Sequence, residues 1–499
     1  MHRESPPSSS VAEMHPAPQL NSDAEGLTDQ LTHVATTWQD PHPTETSDAA
    51  ERAFVDTLAC AIAAQGEPAV MIASRAFAPE VSRSPILGLP YSTGAAPQTV
   101  ALLGGLAAHA LDYDDVDDAT ISHPSAVLVP ALLALSVVRD LPGQSVIDAY
   151  VRGVIAGRII AAEIGIDGHY ELGWHSTSTI GTVAAAVATS RLLGLDPTAT
   201  RHALGVAGSL AAGSRQNFGT MTKPLHAGTA ASNAVIAALL ADGGFTSDDS
   251  QLESPLGFLA LHSPESNTGK REGAALGERE GTASGGEVTI EESVTEPIGL
   301  NIKAYPCCYY IQAAADAVSD LIESGLRADD VATIEVCVQP GGLVPLIHHR
   351  PVTGLEGKFS MEYALAAILL DHVLTPQSFT DDSVNRHTAQ DLIPRITSVT
   401  NDLPPIGAAE WTDGYAVVTV TTQDGQTRTQ RVDRPRGHAT RPLDERRLRA
   451  KFDNCLTFAG LTTDDQTYSA LRNLSAQSSM TTFAETFAAA VVPTEEVLS

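Results

Sequence analysis

Lysine is all but missing from this chain. Of 499 residues 30 are basic, and only those at 223, 270, 303, 358 and 451 are lysine. Positive charge of either kind is short, since 60 acidic residues set the formal net charge at −30. Such a surface repels nucleic acid and anionic lipid, which removes both from the expected partners. Acidic excess with lysine depletion resembles proteins of salt-rich cytoplasm, where carboxylates keep the surface hydrated; a generically acidic bacterial protein is the plain alternative. Cysteine is scarce as well. The five at 60, 307, 308, 337 and 455 make neither a disulfide framework nor a zinc ribbon, which fits a reducing, cytoplasmic setting. Cys307 and Cys308 are adjacent rather than spaced for a three-cysteine iron–sulfur site. Residues 1–26 lack the apolar segment of a signal peptide. Apolar runs such as Ala126–Val138 are too short to cross a bilayer and carry Pro130, so no membrane association is expected.

Several motifs are absent too: a nucleophile elbow, a P-loop, a GxGxxG following a strand, HExxH and CxxC. Their absence removes the usual parts for serine hydrolysis, nucleotide binding and zinc proteolysis, and no cofactor or metal is expected. What the chain has in quantity is alanine and apolar bulk, with 43% hydrophobic residues, ample for sizeable cores. The expected fold is mainly α: a large all-helical domain, a smaller α+β domain, and C-terminal helices returning to the helical domain. Residues 1–26, rich in Pro, Ser and acids, read as a disordered tail. Residues 27–262 form the first part of the helical domain, with helices expected over 49–65, 99–111, 125–139, 145–166, 179–193 and 228–241. Most are apolar nearly all round, as helices packed on several sides are. The acidic, glycine-rich stretch 263–294 reads as a solvated loop or insertion. Residues 295–440 are the α+β unit: "ATIEVCVQP" (332–340) alternates as a strand, and 415–432 reads as a hairpin turning at Asp424–Gly425. Helices over 310–324 and 359–370 lie among these strands. Residues 441–499 return to helix and are too few to make a core alone.

Ionisable groups gather at loop–helix junctions. "HALDYDDVDDATISHPSAV" (109–127) holds five aspartates, then His123 before Pro124, which suits a first helical turn. A helix N-terminus favours anions; the plain reading is a solvated acidic loop with one ordinary histidine. The aspartate spacing does not match an EF-hand. "ELGWHSTSTIGTV" (171–183) places His175 in a polar turn before an alanine-rich helix, with Ser178 or Thr179 as an expected cap. "SRQNFGTMTKPLHAG" (214–228) carries Lys223 before a proline, where the chain should be extended or turning, and a helix should start just after. An ammonium with a tunable pKa does what guanidinium cannot, which sets a retained lysine apart in an arginine-dominated chain. Arg215, Asn217 and His226 flank it as candidate substrate contacts. The α+β region adds Lys303 and Lys358, and Cys308 as a possible pocket cap, although packing is the plain role for both Cys307 and Cys308. Histidines, a lysine and an aspartate suit removal of a proton beside a carboxylate, with cations holding the enolate-like charge.

Together, "HALDYDD…HPSAVLVPALLAL", "GWHSTSTIGT…LLGLD", "TMTKPLHAG", "KAYPCCYY…AAADA", "RPVTGLEGKFSMEYALAAILLD" and "GHATRPLDERRLRAKF" resemble the MmgE/PrpD family over roughly residues 30–460. That family includes 2-methylcitrate dehydratases and cis-aconitate decarboxylases. The resemblance implies a site between a helical domain and a lid, and a homodimer formed through the helical domain. Matched residue by residue, it implies Asp112, His123, His175 and Lys223 as the catalytic set. His123 and His175 would be the acid/base pair, Lys223 the carboxylate and enolate stabiliser, and Asp112 the group that orients or charges a histidine. Two positions depart from the pattern: Val116 where threonine is frequent, and Gln312 where histidine is. The expected function is a cofactor-independent lyase on a small anionic di- or tricarboxylate, first of all a 2-methylcitrate-type dehydratase. Alternatives are cis-aconitate decarboxylation, epimerisation of a dicarboxylate, or a non-catalytic scaffold binding a cation at 112–118.

Overall fold

The computed structural model describes residues 26–77, 95–263, 298–411 and 414–494. The stretches read as a disordered tail and an acidic insertion lie outside these, apart from Gly26 and Ser263. The apolar runs become six long helices: α1 (Pro43–Ala63), α2 (Pro97–Ala110), α3 (Ser125–Val138), α4 (Gly143–Ile164), α5 (Ser176–Leu193) and α6 (Thr222–Asp242). In α3 every residue from Ser125 to Val137 is buried, because apolar side chains on all faces are covered only when neighbours surround the helix. Glycine in the left-handed conformation ends α4 at Gly165 and α5 at Gly194, positions where a Cβ would cost energy.

Helix α6 lies against α2, α3 and α5, and glycine governs its approach to α2. A Cβ on Gly228 would stand 2.3 Å from the carbonyl oxygen of Leu102, and one on Gly105 would stand 2.9 Å from the Cα of Gly228. By length and composition α6 is apolar enough to cross a membrane, which the sequence reading did not anticipate, but most of its apolar window is buried among its neighbours. It also begins earlier than expected. Lys223 and Pro224 stand inside its first turn, where the proline's missing N–H costs nothing.

The smaller unit is a four-stranded sheet in the order β2-β1-β3-β4, from β1 (Val331–Val338), β2 (Ile396–Thr400), β3 (Ala416–Thr422) and β4 (Thr427–Val432). The β3–β4 hairpin turns at Gly425, φ 82°. Strand β2, absent from the sequence reading, pairs parallel to β1. Helices α7 (Gln312–Glu323) and α8 (Met361–Asp371) cover the sheet. Helix α9 (Glu445–Phe458) then packs on α1, burying Leu448, Phe452, Cys455 and Leu456 in the same core as the six helices.

Candidate active site

Just after α2 the chain turns sharply at Asp112, a non-glycine residue held at φ 53°. Four residues on, Val116 exchanges backbone hydrogen bonds with Asn301, at 3.0 and 2.8 Å, and lays the segment carrying Lys303 alongside. Lys223 arrives from the first turn of α6. Its Nζ donates to Asp112 Oδ1 at 2.7 Å, while Lys303 Nζ stands 3.2 Å from the same oxygen and donates to the Asp112 carbonyl at 2.8 Å. Burial alone would raise the Asp112 carboxyl, but the two ammonium groups hold it well below the usual carboxylate range. Burial likewise works against the Lys303 cation, and Asp112 more than compensates, so this lysine stays charged.

The remaining aspartates of the loop each have a separate task. Asp114 accepts from His109 Nδ1 at 2.8 Å and stands 3.2 Å from His123 Nδ1. Asp115 accepts from the backbone N–H and the hydroxyl of Ser125 at the start of α3. Asp117 pairs with Arg158 at 3.1 Å, and Asp118 accepts from Asn301 at 2.7 Å. Burial acts against ionised Asp114 too, yet His109 and His123 keep it well below its ordinary value. His123 thus sits between two carboxylates, with Nδ1 nearer to Asp114 and Nε2 3.9 Å from Asp112 Oδ1 on the cavity side. Burial lowers His123 to about 4. It lowers His175 well below the usual imidazole value, helped by neighbouring His109 and Lys223.

His175 is itself the N-cap residue of α5, anchored by its backbone N–H to the Gly213 carbonyl at 3.0 Å. The expected caps serve elsewhere: Ser178 donates to the His226 carbonyl, and Thr179 stands 2.8 Å from His169 Nε2. The His175 ring meets His226, Nδ1 to Nδ1, at 3.0 Å. A cavity of about 770 Å³ between the helical core and the α+β unit is lined by Asp112, His123, His175, Lys223, Lys303 and Cys308, with aromatic side chains around them. Cys308 is a thiol, pushed up to about 11 chiefly by burial.

Other expected contacts lie elsewhere. Arg215 stacks on Tyr170 at 3.4 Å and donates to the Tyr170 carbonyl, and neither it nor Asn217 lines the cavity. His226 stands behind His175 rather than on the wall. Of the two departures from the family pattern, Val116 lines the cavity. Gln312 is fully buried and braces the turn at Tyr305, donating to its carbonyl at 2.9 Å and accepting from its N–H. His109 was missed; a histidine on an apolar helix reads as core, and only its spacing of five from Asp114 hinted otherwise.

Metal-type donors of His109, Asp112, Asp114 and His123 lie within 4.8 Å of one another, a grouping that chain spacing did not reveal. They fit a cation poorly. Asp112 already faces two ammonium groups through Oδ1, and these repel a further cation, while Asp114 lies against two imidazoles.

The sequence profile of the MmgE/PrpD N-terminal domain matches residues 30–270, and that of the MmgE/PrpD C-terminal domain matches residues 305–474. Over 371 residues the chain is 29% identical to cis-aconitate decarboxylase of Homo sapiens, a span covering 71% of this chain and 72% of that protein. Over 478 residues it is 26% identical to cis-aconitate decarboxylase of Aspergillus terreus, covering 90% of this chain and 92% of the relative.

Proposed function

The chain belongs to the MmgE/PrpD family, and on that premise we propose that it is a lyase that decarboxylates a small tricarboxylate of the cis-aconitate type. The observation that carries this reading is the Lys223–Asp112–Lys303 bridge on one wall of a cavity that two neutral imidazoles, His123 and His175, also face. Two ammonium groups against one carboxylate leave a net positive charge, which draws in a substrate carboxylate. As the carbon–carbon bond to the departing carboxylate breaks, CO₂ leaves and the electron pair stays on carbon, delocalised into a neighbouring carboxylate. The ammonium of Lys223 stabilises that charge where it develops. One proton must then reach carbon. A bound polyanion opposes the burial that depresses His123, so its Nε2 takes up a proton on binding and delivers it. His175, backed by His226, holds a second substrate carboxylate.

The same two imidazoles also suit 2-methylcitrate-type dehydration, one removing a proton and the other returning it to the leaving hydroxyl. The names of the relatives put decarboxylation first. Incubation with cis-aconitate and with 2-methylcitrate in D₂O, followed by NMR and CO₂ detection, separates the readings. We expect CO₂ from cis-aconitate and one deuterium on the new C–H bond. Water loss from 2-methylcitrate without CO₂ makes the chain a dehydratase; exchange without net product makes it an epimerase. An inert protein across a tricarboxylate panel ends the lyase reading.

A further inference from the structure

The four lysines among the described residues are all buried, none more than 7% exposed, and all four converge on three consecutive residues. Lys358 Nζ donates to the Leu111 carbonyl at 2.7 Å, Lys303 to the Asp112 carbonyl at 2.8 Å, Lys223 to the Asp112 carboxylate at 2.7 Å and Lys451 to the Tyr113 carbonyl at 2.7 Å. Lys451 differs from Lys223 and Lys303 in lying outside the cavity wall. It sits on α9, its Nζ 3.8 Å above the Tyr113 ring, and also donates to the Lys303 carbonyl at 2.9 Å. Its counter-ion is Asp56 of α1, which is fully buried.

One ammonium therefore ties together the two segments that bear the Asp112–Lys303 contact, and does so from behind. Asp112 needs such a tie. A non-glycine residue at positive φ persists only where its surroundings over-determine it, and here the carbonyls of residues 111, 112 and 113 are each gripped by a different ammonium.

We propose that Lys451, held in place by Asp56, is a positioning residue for the reaction: it acts through the carbonyls of Tyr113 and Lys303 to keep Asp112 and Lys303 in register beneath the substrate. This rests on the reading of Asp112 and Lys303 as active-site groups. The rival is that the Lys451–Asp56 pair only holds α9 on α1.

A buried ion pair can often be replaced by apolar side chains with little loss of stability, whereas removing one partner is strongly destabilising. Lys451→Met should therefore melt early, and Asp56→Val/Lys451→Met should recover most of the melting temperature. In that double variant we expect kcat to remain at least tenfold down with KM within about twofold, and amide exchange to quicken at residues 111–117 and 300–305. Recovery of kcat together with melting, or unchanged exchange at both segments, overturns the proposal. Should the double variant not fold, Lys451→Arg keeps charge and ion pair but not the compact ammonium. It should show the same kcat loss and the same quickened exchange, and wild-type values for both overturn the proposal. The exchange readout needs no substrate, so faster exchange alongside a wild type inert to tricarboxylates would sink the proposed reaction and leave the positioning role standing.

Discussion

At the scale of single residues, the retained lysines have a common explanation. Among the described residues the lysines are interior groups, each serving as a compact donor to one short turn, and exposed side-chain charge of that sign is left to arginine. A planar guanidinium fits none of those places well. Lys223→Met is expected to lower kcat by about 10²–10³, roughly 3–4 kcal/mol of lost transition-state stabilisation. The protein should still fold, because Lys303 remains 3.2 Å from Asp112. Lys223→Arg should be impaired to a similar degree, and steady-state kinetics with a melting curve checks both; an active arginine variant would reduce Lys223 to a general positive charge. Buried imidazoles yield a second expectation. His123 and His169 sit at about 4 in the folded protein, against 6.5 when free, lowered chiefly by burial. Between those values the unfolded chain binds protons that the native protein refuses. Stability is thus whole above pH 6.5 and declines towards pH 4, each group adding a slope of about 1.4 kcal/mol per pH unit. Urea unfolding from pH 7 to pH 4 tests this, and His123→Gln should flatten the decline. Asp112, His123, His175 and Lys223 were legible from the sequence as ionisable groups at helix junctions, and the structure brings them to one cavity. The partners of the other aspartates were not: Arg158 and Asn301 carry no local mark of their contacts, and His109 only its spacing of five from Asp114.

At the scale of elements, alanine-rich runs announce helices because little else satisfies so many apolar positions, and the six long ones fall close to their expected places. Lys223 shows where local rules fail. A residue before proline is disfavoured in the helical region, yet here it opens α6, where packing against α2 and the bond to Asp112 outweigh that preference. Strand β2 escaped notice for a different reason. Only its first residue is buried, so Ile396–Thr400 lacks the alternation that marks a half-buried strand. The α2–α6 contact has a functional corollary, because Asp112 follows one helix and Lys223 begins the other. Gly228→Ala would drive a methyl group into the Leu102 carbonyl and push the helices apart. Overpacking of this kind typically costs about 1–3 kcal/mol. We expect a lowered melting temperature and a drop in kcat larger than that of an equally destabilising substitution remote from this crossing, such as one on the outer face of α7. Equal losses in the two variants would show that helix spacing does not set the Lys223–Asp112 geometry.

At the scale of the whole molecule, a charge of −30 opposes the approach of any polycarboxylate. Raising salt from about 0.1 to 1 M shortens the Debye length from about 10 to 3 Å. kcat/KM should rise across that range, together with stability as self-repulsion is screened; a steep fall instead would show that the local positive site steers the substrate. The large-scale layout also fixes when the site can exist. The bonds from the lysines to residues 111–113 span 111, 191, 247 and 338 positions of chain. Contacts so distant in sequence form late in folding, after many loops have closed. On the ribosome, the helices before residue 243 can collapse while much of the α+β unit is still unmade, but the Asp112 turn waits for Lys451, made 338 positions after Tyr113. A polypeptide released early would hold the helices that face the substrate and still lack the strut behind them. The site is complete only once Lys451 has been made.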